Sequence, residues 1–257
     1  MFVEKPLAVD REQLQGVRQA YQESAERGQR PFLMVGFNRR FAPPTRTVRE
    51  FFAGRREPMM VHVRVNAGFI PAEHWTQQAS EGGRIIGELC HFVDWALHMV
   101  GTSIRSVSAS ALPDGTRYNQ DNLAIVMNFT DGSMANLLYV ANGDPALPKE
   151  YYEIFCEGRV ARMEDFRTLE LVRNQKVKRL KLSRDKGHRN ELELTLRSMI
   201  SGTEAPIQVH EIIQVTEATF SICDALARGG PMPVESQSAI DLGRVAFSDE
   251  FSVAAKR

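Results

Sequence analysis

The strongest constraint on the fold lies between residues 59 and 182, where short alternating segments follow one another with hairpin-length links. In residues 59–66, Val61, Val63 and Val65 alternate with His62, Arg64 and Asn66, the period of a half-buried strand. Val107, Ala109 and Ala111 alternate with serines. Residues 123–129 and 134–140 flank Asp131-Gly132, a pair suited to the tight turn of a β-hairpin. Short strands are expected again at 151–157, 159–164, 168–172 and 176–182, with Gly158 and Asn174 supplying turns. A run of about eight such strands predicts an α+β fold: a large, mostly antiparallel open sheet with helices packed on one face. The basic run from Lys176 to Lys186 keeps the alternation and reads as an outer sheet face rather than a nucleic-acid patch.

Charge and composition narrow the partners. The 257 residues carry 32 basic and 32 acidic side chains and are 43% apolar, so no nucleic-acid partner is expected. The longest apolar runs, such as residues 123–127, are far too short to span a bilayer, and no membrane partner is expected. Glu4 and Lys5 interrupt any signal-peptide core. Cys90, Cys156 and Cys223 are odd in number and widely spaced, which predicts reduced thiols and a cytoplasmic location.

Before the sheet, Asp10 can cap a helix carrying Leu14, Val17, Ala20, Tyr21 and Ala25, and Gly28 can end it. Residues 31–35 then read as a short buried strand. Such a helix–strand piece belongs to a parallel sheet, which is normally covered on both faces. It is therefore expected to be displaced, disordered or paired with another chain. No GxGxxG turn occurs in the sequence. Asn38, Arg39 and Arg40 form a polar cluster, either solvated or poised for anion or ribose contact. A helix is expected over 47–53. The loop 68–77 carries His74 and Trp75, a sugar- or cofactor-contact pair or a packing lid. After the sheet come two helices. One bears Leu192, Leu196, Met199 and Ile200, the other Ile212, Val215, Thr219, Ile222 and Leu226, and both stripes read as core.

The chemistry concentrates in residues 82–101. Wound at about 100° per residue, Glu88, His91, Asp94, Trp95 and His98 share one arc of a helix. Two imidazoles, two carboxylates and an indole can move protons, bind a metal or stack on a ligand. They also suit half-buried packing. Glu88, His91 and His98 could furnish ligands for a metal-dependent hydrolase, although no metal site is assigned. His62, His188 and His210 read as structural.

Four features in order suggest a family: Glu4-Lys5-Pro6 before a helix, Gly36-Phe-Asn-Arg-Arg-Phe after a buried strand, Gly82-Gly83 before a helix with His91 and Asp94, and two closing helices. From residue 4 to about 234 the chain resembles the C-terminal half of the Gfo/Idh/MocA oxidoreductases. The wording around Cys90 also resembles a subset fused behind an alcohol-dehydrogenase-like region. The resemblance implies a Rossmann remnant at 1–36, a substrate and oligomerisation domain at 37–234 and a tail at 235–257. It implies Lys5 and His91 as catalytic residues, with Glu88 in place of the family aspartate and Asp94 in a structural or orienting position toward substrate; the loop pair His74 and Trp75 is counted toward substrate on its own residues. Lys5, Pro6, Arg39 and Arg40 would lie toward the cofactor. The family aspartate position four before His91 is Gly87 here, with Glu88 next to it. The implied reaction is hydride exchange between a sugar or polyol and NAD or NADP in the complete protein, with none expected bound to this chain alone. A homo-oligomer through the sheet face is also implied. The competing readings are a non-catalytic binding or dimerisation module and the metal-dependent hydrolase.

Overall fold

The computed structural model describes residues 1–115, 117–118 and 120–235. The tail assigned to 235–257 lies outside these from residue 236 onward. The chain opens with strand β1 (Phe2–Val3), helix α1 (Arg11–Glu26) and strand β2 (Met34–Val35), and the two strands pair in parallel. Asp10 caps α1 by accepting the Gln13 N–H at 2.8 Å. Helix α2 (Pro43–Phe51) begins on the two prolines rather than after them, because its first turn has no need of their missing N–H groups.

The principal sheet contains β3 (Met60–Asn66), β4 (Ile104–Ala111), β5 (Asn122–Phe129), β6 (Met134–Val140), β7 (Glu150–Cys156), β8 (Arg159–Glu164), β9 (Thr168–Arg173), β10 (Lys176–Lys181) and β11 (Met232–Pro233). Their order is β10-β9-β8-β7-β3-β6-β5-β4-β11. Two antiparallel meanders, β4–β6 and β7–β10, flank β3, and only the β3–β6 pairing is parallel. The Asp131-Gly132 turn joins β5 to β6 with Gly132 at φ 86°, a conformation that favours glycine.

One face of the sheet is covered by α3 (Cys90–Val100) and α5 (Val209–Arg228), and Val61, Val63 and Val65 point into that core. Trp95 lies at its centre with 0% exposure. Its ring is 4.3 Å from that of Tyr152, and its N–H donates to Thr45 Oγ1 at 3.1 Å. Among the described residues no helix covers the other face. Along it, β pairing aligns Val177, Val172, Val160, Phe155, Met60 and Met134 in one apolar row. Beside it runs a polar row of Arg179, Glu170, Arg162, Glu153, His62 and Asn136.

Two expectations are corrected. The N-terminal piece is neither displaced nor disordered, and its two strands pair only with each other among the described residues. Leu14 and Ala8 pack on Ile213 and Phe220 of α5, and Arg18 donates to Glu217 at 2.8 Å. The amphipathic helix finds its apolar cover within the chain. The stripe of α4 (His188–Ser201) is not core either: Leu196 is 57% and Ile200 87% exposed, whereas Glu191 and Thr195 are buried. The reason is what α4 meets. Its start sits on the polar turn at 38–41, with Asn190 donating to the Phe41 carbonyl at 3.0 Å. A Cβ at Gly187 (φ 90°) would lie 2.4 Å from the Asn38 carbonyl oxygen, so only glycine allows that approach.

Thermal unfolding distinguishes the two faces of these helices. Leu196→Lys should change stability by no more than about 0.5 kcal/mol, as surface substitutions do. Trp95→Ala should cost about 3–5 kcal/mol. A comparable loss in both variants would contradict the exposure of the α4 stripe.

Candidate active site

The segment before α3 does not wind as a plain α-helix. Residues Ile85–Leu89 form a π-turn, which leads into α3 at Cys90. The uniform wheel therefore misplaces Glu88, and within α3 itself the polar arc divides between cavity and core. Glu88 and His91 face a cavity of about 350 Å³, and Lys5, Pro6, Arg39 and Trp75 line it with them. Asp94 and Trp95 point into the core instead. Six of the sequence candidates, drawn from four separate segments, thus meet around one space.

Lys5 follows β1, and the Lys5–Pro6 peptide bond is cis. Its Nζ donates to the Gly87 carbonyl at 2.6 Å, which ties the N-terminal piece to the π-turn. His91 is 8% exposed, and its Nδ1 has no hydrogen-bond partner among the described residues. Burial, then the nearby Arg39 and Lys5 charges, hold the imidazole well below its ordinary pKa. It is a neutral base at neutral pH.

Glu88 is held differently. One carboxylate oxygen accepts from the Tyr139 hydroxyl at 2.5 Å and from Arg84 at 3.2 Å, and the other accepts from Lys149 at 2.6 Å. Burial works against ionisation here. Lys149, Tyr139 and Arg84 outweigh it and hold the carboxyl down at about 2. Glu88 is therefore an ionised acceptor at neutral pH, not a proton donor.

The paired arginines take opposite roles. Arg39 reaches the cavity edge while its guanidinium forks onto Glu150 at 3.0 and 2.9 Å and lies 4.8 Å from the Phe92 ring. Glu150 also accepts from Tyr152 and Lys186. Arg40 does not line the cavity. It forks onto Asp94 at 3.0 and 2.5 Å and reaches Glu211 at 2.9 Å. Asp94 is 0% exposed, so the placement of Asp94 toward substrate and Arg40 toward cofactor gives way to a buried structural pair. His74 stays outside the cavity, and its ring lies 5.8 Å from that of Trp75. His98 lies against the Arg49 guanidinium. Among the described residues no three His, Cys, Asp or Glu side chains converge, so Glu88, His91 and His98 are not a ligand set.

Residues 53–160 match the family model of the GFO/IDH/MocA C-terminal domain. That stretch of the chain is similar to a Gfo/Idh/MocA C-terminal domain. Comparison with curated proteins gives no match. Among solved structures, the chain is similar to an NAD binding oxidoreductase from Klebsiella pneumoniae (TM-score 0.77, 18% identity, 92% of this chain and 73% of that one). It is similar to levoglucosan dehydrogenase, solved with NADH and levoglucosan (TM-score 0.77, 16% identity, 91% and 74% covered). It is also similar to UDP-N-acetylglucosamine 3-dehydrogenase from Acidithiobacillus ferrooxidans (TM-score 0.71, 20% identity, 88% and 70% covered). At these identities the likeness establishes the fold.

The residues that sequence reasoning missed are the partners: Arg84, Tyr139 and Lys149 around Glu88, and Glu150, Tyr152 and Lys186 around Arg39. Lys149 and Glu150 are neighbours at the start of β7, yet they act 61 and 111 residues away in sequence. No local motif announces such pairs.

In the first turn of α4, Glu191 is a further buried carboxyl whose Oε1 has no partner among the described residues. Burial, then Glu4 and Asp94, push it up to about 8. The unfolded chain ionises near its ordinary value of about 4.3, so the folded state resists ionisation between these two values. The penalty is absent below about pH 4, grows as pH rises and is complete above about pH 8. Glu191→Gln should therefore stabilise the protein more at pH 8 than at pH 5. Denaturant midpoints at the two pH values check this, and an equal shift at both would refute it.

Proposed function

We propose that this domain is the substrate-binding and catalytic half of a cytoplasmic NAD(P)-dependent oxidoreductase acting on a sugar or polyol. The observation that carries this reading is the meeting of the Lys5 ammonium with a neutral His91 imidazole in one cavity. The His91 imidazole accepts the proton of a substrate hydroxyl. The Lys5 ammonium donates to the same oxygen and stabilises its developing negative charge. Its bond to the Gly87 carbonyl directs the amine and leaves it further N–H groups for this task. In the reverse direction His91 returns the proton to the carbonyl oxygen as it is reduced.

When bound, NAD(P) supplies the hydride acceptor. The cationic edge made by Lys5 and Arg39, beside Pro6, suits the reacting end of such a cofactor. The sequence offers no glycine-rich phosphate turn, so phosphate binding is assigned to a separate dinucleotide-binding domain. The NADH complex of levoglucosan dehydrogenase and the sugar-nucleotide activity named for the Acidithiobacillus protein support this reading.

The open sheet face favours self-association as well. Its apolar row leaves Met60 and Phe155 exposed, and the adjacent Arg179, Glu170, Arg162 and Glu153 alternate in sign. Such a row becomes complementary to itself when a second copy is turned by a two-fold axis. A purely associative module would use this face alone.

Two measurements follow. With the dinucleotide-binding domain present, His91→Ala and Lys5→Ala should each lower sugar-dependent NAD(P) reduction by about 10²–10⁴-fold without loss of fold. Unchanged rates would leave only the associative role. Phe155→Glu should shift the mass measured by light scattering toward the monomer. An unchanged mass would refute pairing through this face.

A further inference from the structure

Proton transfer as described makes no use of Glu88, although its carboxylate shares the cavity with Lys5. The Lys5 ammonium bonds to the carbonyl of Gly87, one residue before that carboxylate. The carboxylate itself is taken by other groups. Its Oε2 accepts from the Tyr139 hydroxyl at 2.5 Å and from Arg84 at 3.2 Å, and its Oε1 accepts from Lys149 Nζ at 2.6 Å. Arg84 also donates to the Tyr139 hydroxyl oxygen at 2.7 Å and to the Gly68 carbonyl at 2.7 Å, which fixes that side of the clamp. Lys149 is held from β3. Its own carbonyl accepts the Asn66 N–H at 2.7 Å, and Asn66 Nδ2 donates to the Asp144 and Leu147 carbonyls at 2.7 and 3.1 Å. Arg64 donates to the Pro148 carbonyl at 2.8 Å. The principal sheet thus sets where the Lys149 ammonium stands.

We propose that Lys149 is a positioning residue for Lys5: it occupies Glu88 Oε1 while Tyr139 and Arg84 occupy Oε2, so that the carboxylate does not close onto the Lys5 ammonium. The inference rests on the catalytic reading above and adds a residue that acts on the site through Glu88. Opposite charges attract strongly where water is scarce. An ammonium joined to a carboxylate has a permanent counter-charge and does less for an oxyanion that forms beside it. A carbonyl orients the same ammonium and leaves its full charge in place. Without Lys149, Oε1 has no donor, and a carboxylate oxygen left without one in a partly buried site is costly. The cations that line the cavity are Lys5, Arg39 and Arg84. Arg39 is forked onto Glu150, and Arg84 already serves Glu88. Lys5 is then the partner that remains, and Glu88 would take it from the substrate oxygen.

Two measurements test this. In a crystal structure of the Lys149→Met protein, a Glu88 carboxylate oxygen should lie within about 4 Å of Lys5 Nζ, the reach of an ion pair. With the dinucleotide-binding domain present, Lys149→Met should lower kcat for sugar-dependent NAD(P) reduction about tenfold and leave KM within about twofold. Lys149→Arg keeps a cation opposite Oε1 and should stay within about threefold of the unmutated rate. The deciding variant removes the captured charge as well. Adding Glu88→Gln to Lys149→Met should raise kcat at least about threefold over Lys149→Met alone, a recovery that a merely structural lysine does not produce. A Lys149→Met structure with Glu88 still clear of Lys5, an unchanged kcat in that variant, or a double variant no faster than the single one would each overturn the proposal. The two readings fail separately. Movement of Glu88 onto Lys5 in Lys149→Met, alongside full redox rates in His91→Ala, defeats the catalytic assignment alone. Redox activity that depends on His91 and Lys5 but not on Lys149 defeats the positioning role alone.

Discussion

Two buried arginine–carboxylate forks support the rest of the structure. Arg39 engages Glu150 at the start of β7, and Arg40 engages Asp94 inside α3. The two arginines are adjacent in a single short turn, so they bind that turn to the sheet on one side and to the helix on the other. Removing one partner from such a pair leaves an uncompensated charge in a buried setting, which typically costs about 3–5 kcal/mol. The forks are therefore better understood as fixing geometry than as adding stability. They set where α3 lies against the sheet and, with it, where His91 faces.

The electrostatics of the cavity follow from that arrangement. Arg39 is neutralised by Glu150, and Arg84 and Lys149 serve Glu88. Lys5 contacts a carbonyl rather than a carboxylate. The cavity thus combines a cation with uncommitted donor capacity, an imidazole kept neutral by burial and positive neighbours, and a carboxylate fixed in its ionised form. Each state is set by side chains brought from the segment after β1, the π-turn, α3 and the strand ends. Proton transfer requires such a division of roles, because donor and acceptor must differ in proton affinity at the same pH.

Much of the sheet was legible in the sequence because its signals are local. Alternation at β3, the Asp131-Gly132 hairpin and the short links through β10 each depend on neighbouring residues. Asp10 as a cap and the core stripe of α5 were legible for the same reason. The stripe of α4 was misleading. Leu192, Leu196, Met199 and Ile200 have helical spacing, but spacing cannot say which face a helix presents to its surroundings. The polar turn beneath α4 decided that. Cavity residues were legible by type, since His91, Glu88, Lys5 and Trp75 stand out against their local patterns. Asp94 and Arg40 stand out equally, and only their mutual contact shows them to be structural.

The sequence by itself determined the order of strands and helices, the turn chemistry, the family resemblance and the presence of an unusual polar set at residues 82–101. These rest on periodicity and on short-range backbone preferences. Tertiary structure decided how that set divides. Glu88 in the π-turn and His91 at the start of α3 line the cavity, and burial commits Asp94 and Trp95 to the core. The start of β7 supplies Lys149 and Glu150 to partners distant in the chain. The physical reason is that proton affinity, ion pairing and exposure depend on which groups are near in space, and distances between remote segments are fixed only when the chain packs.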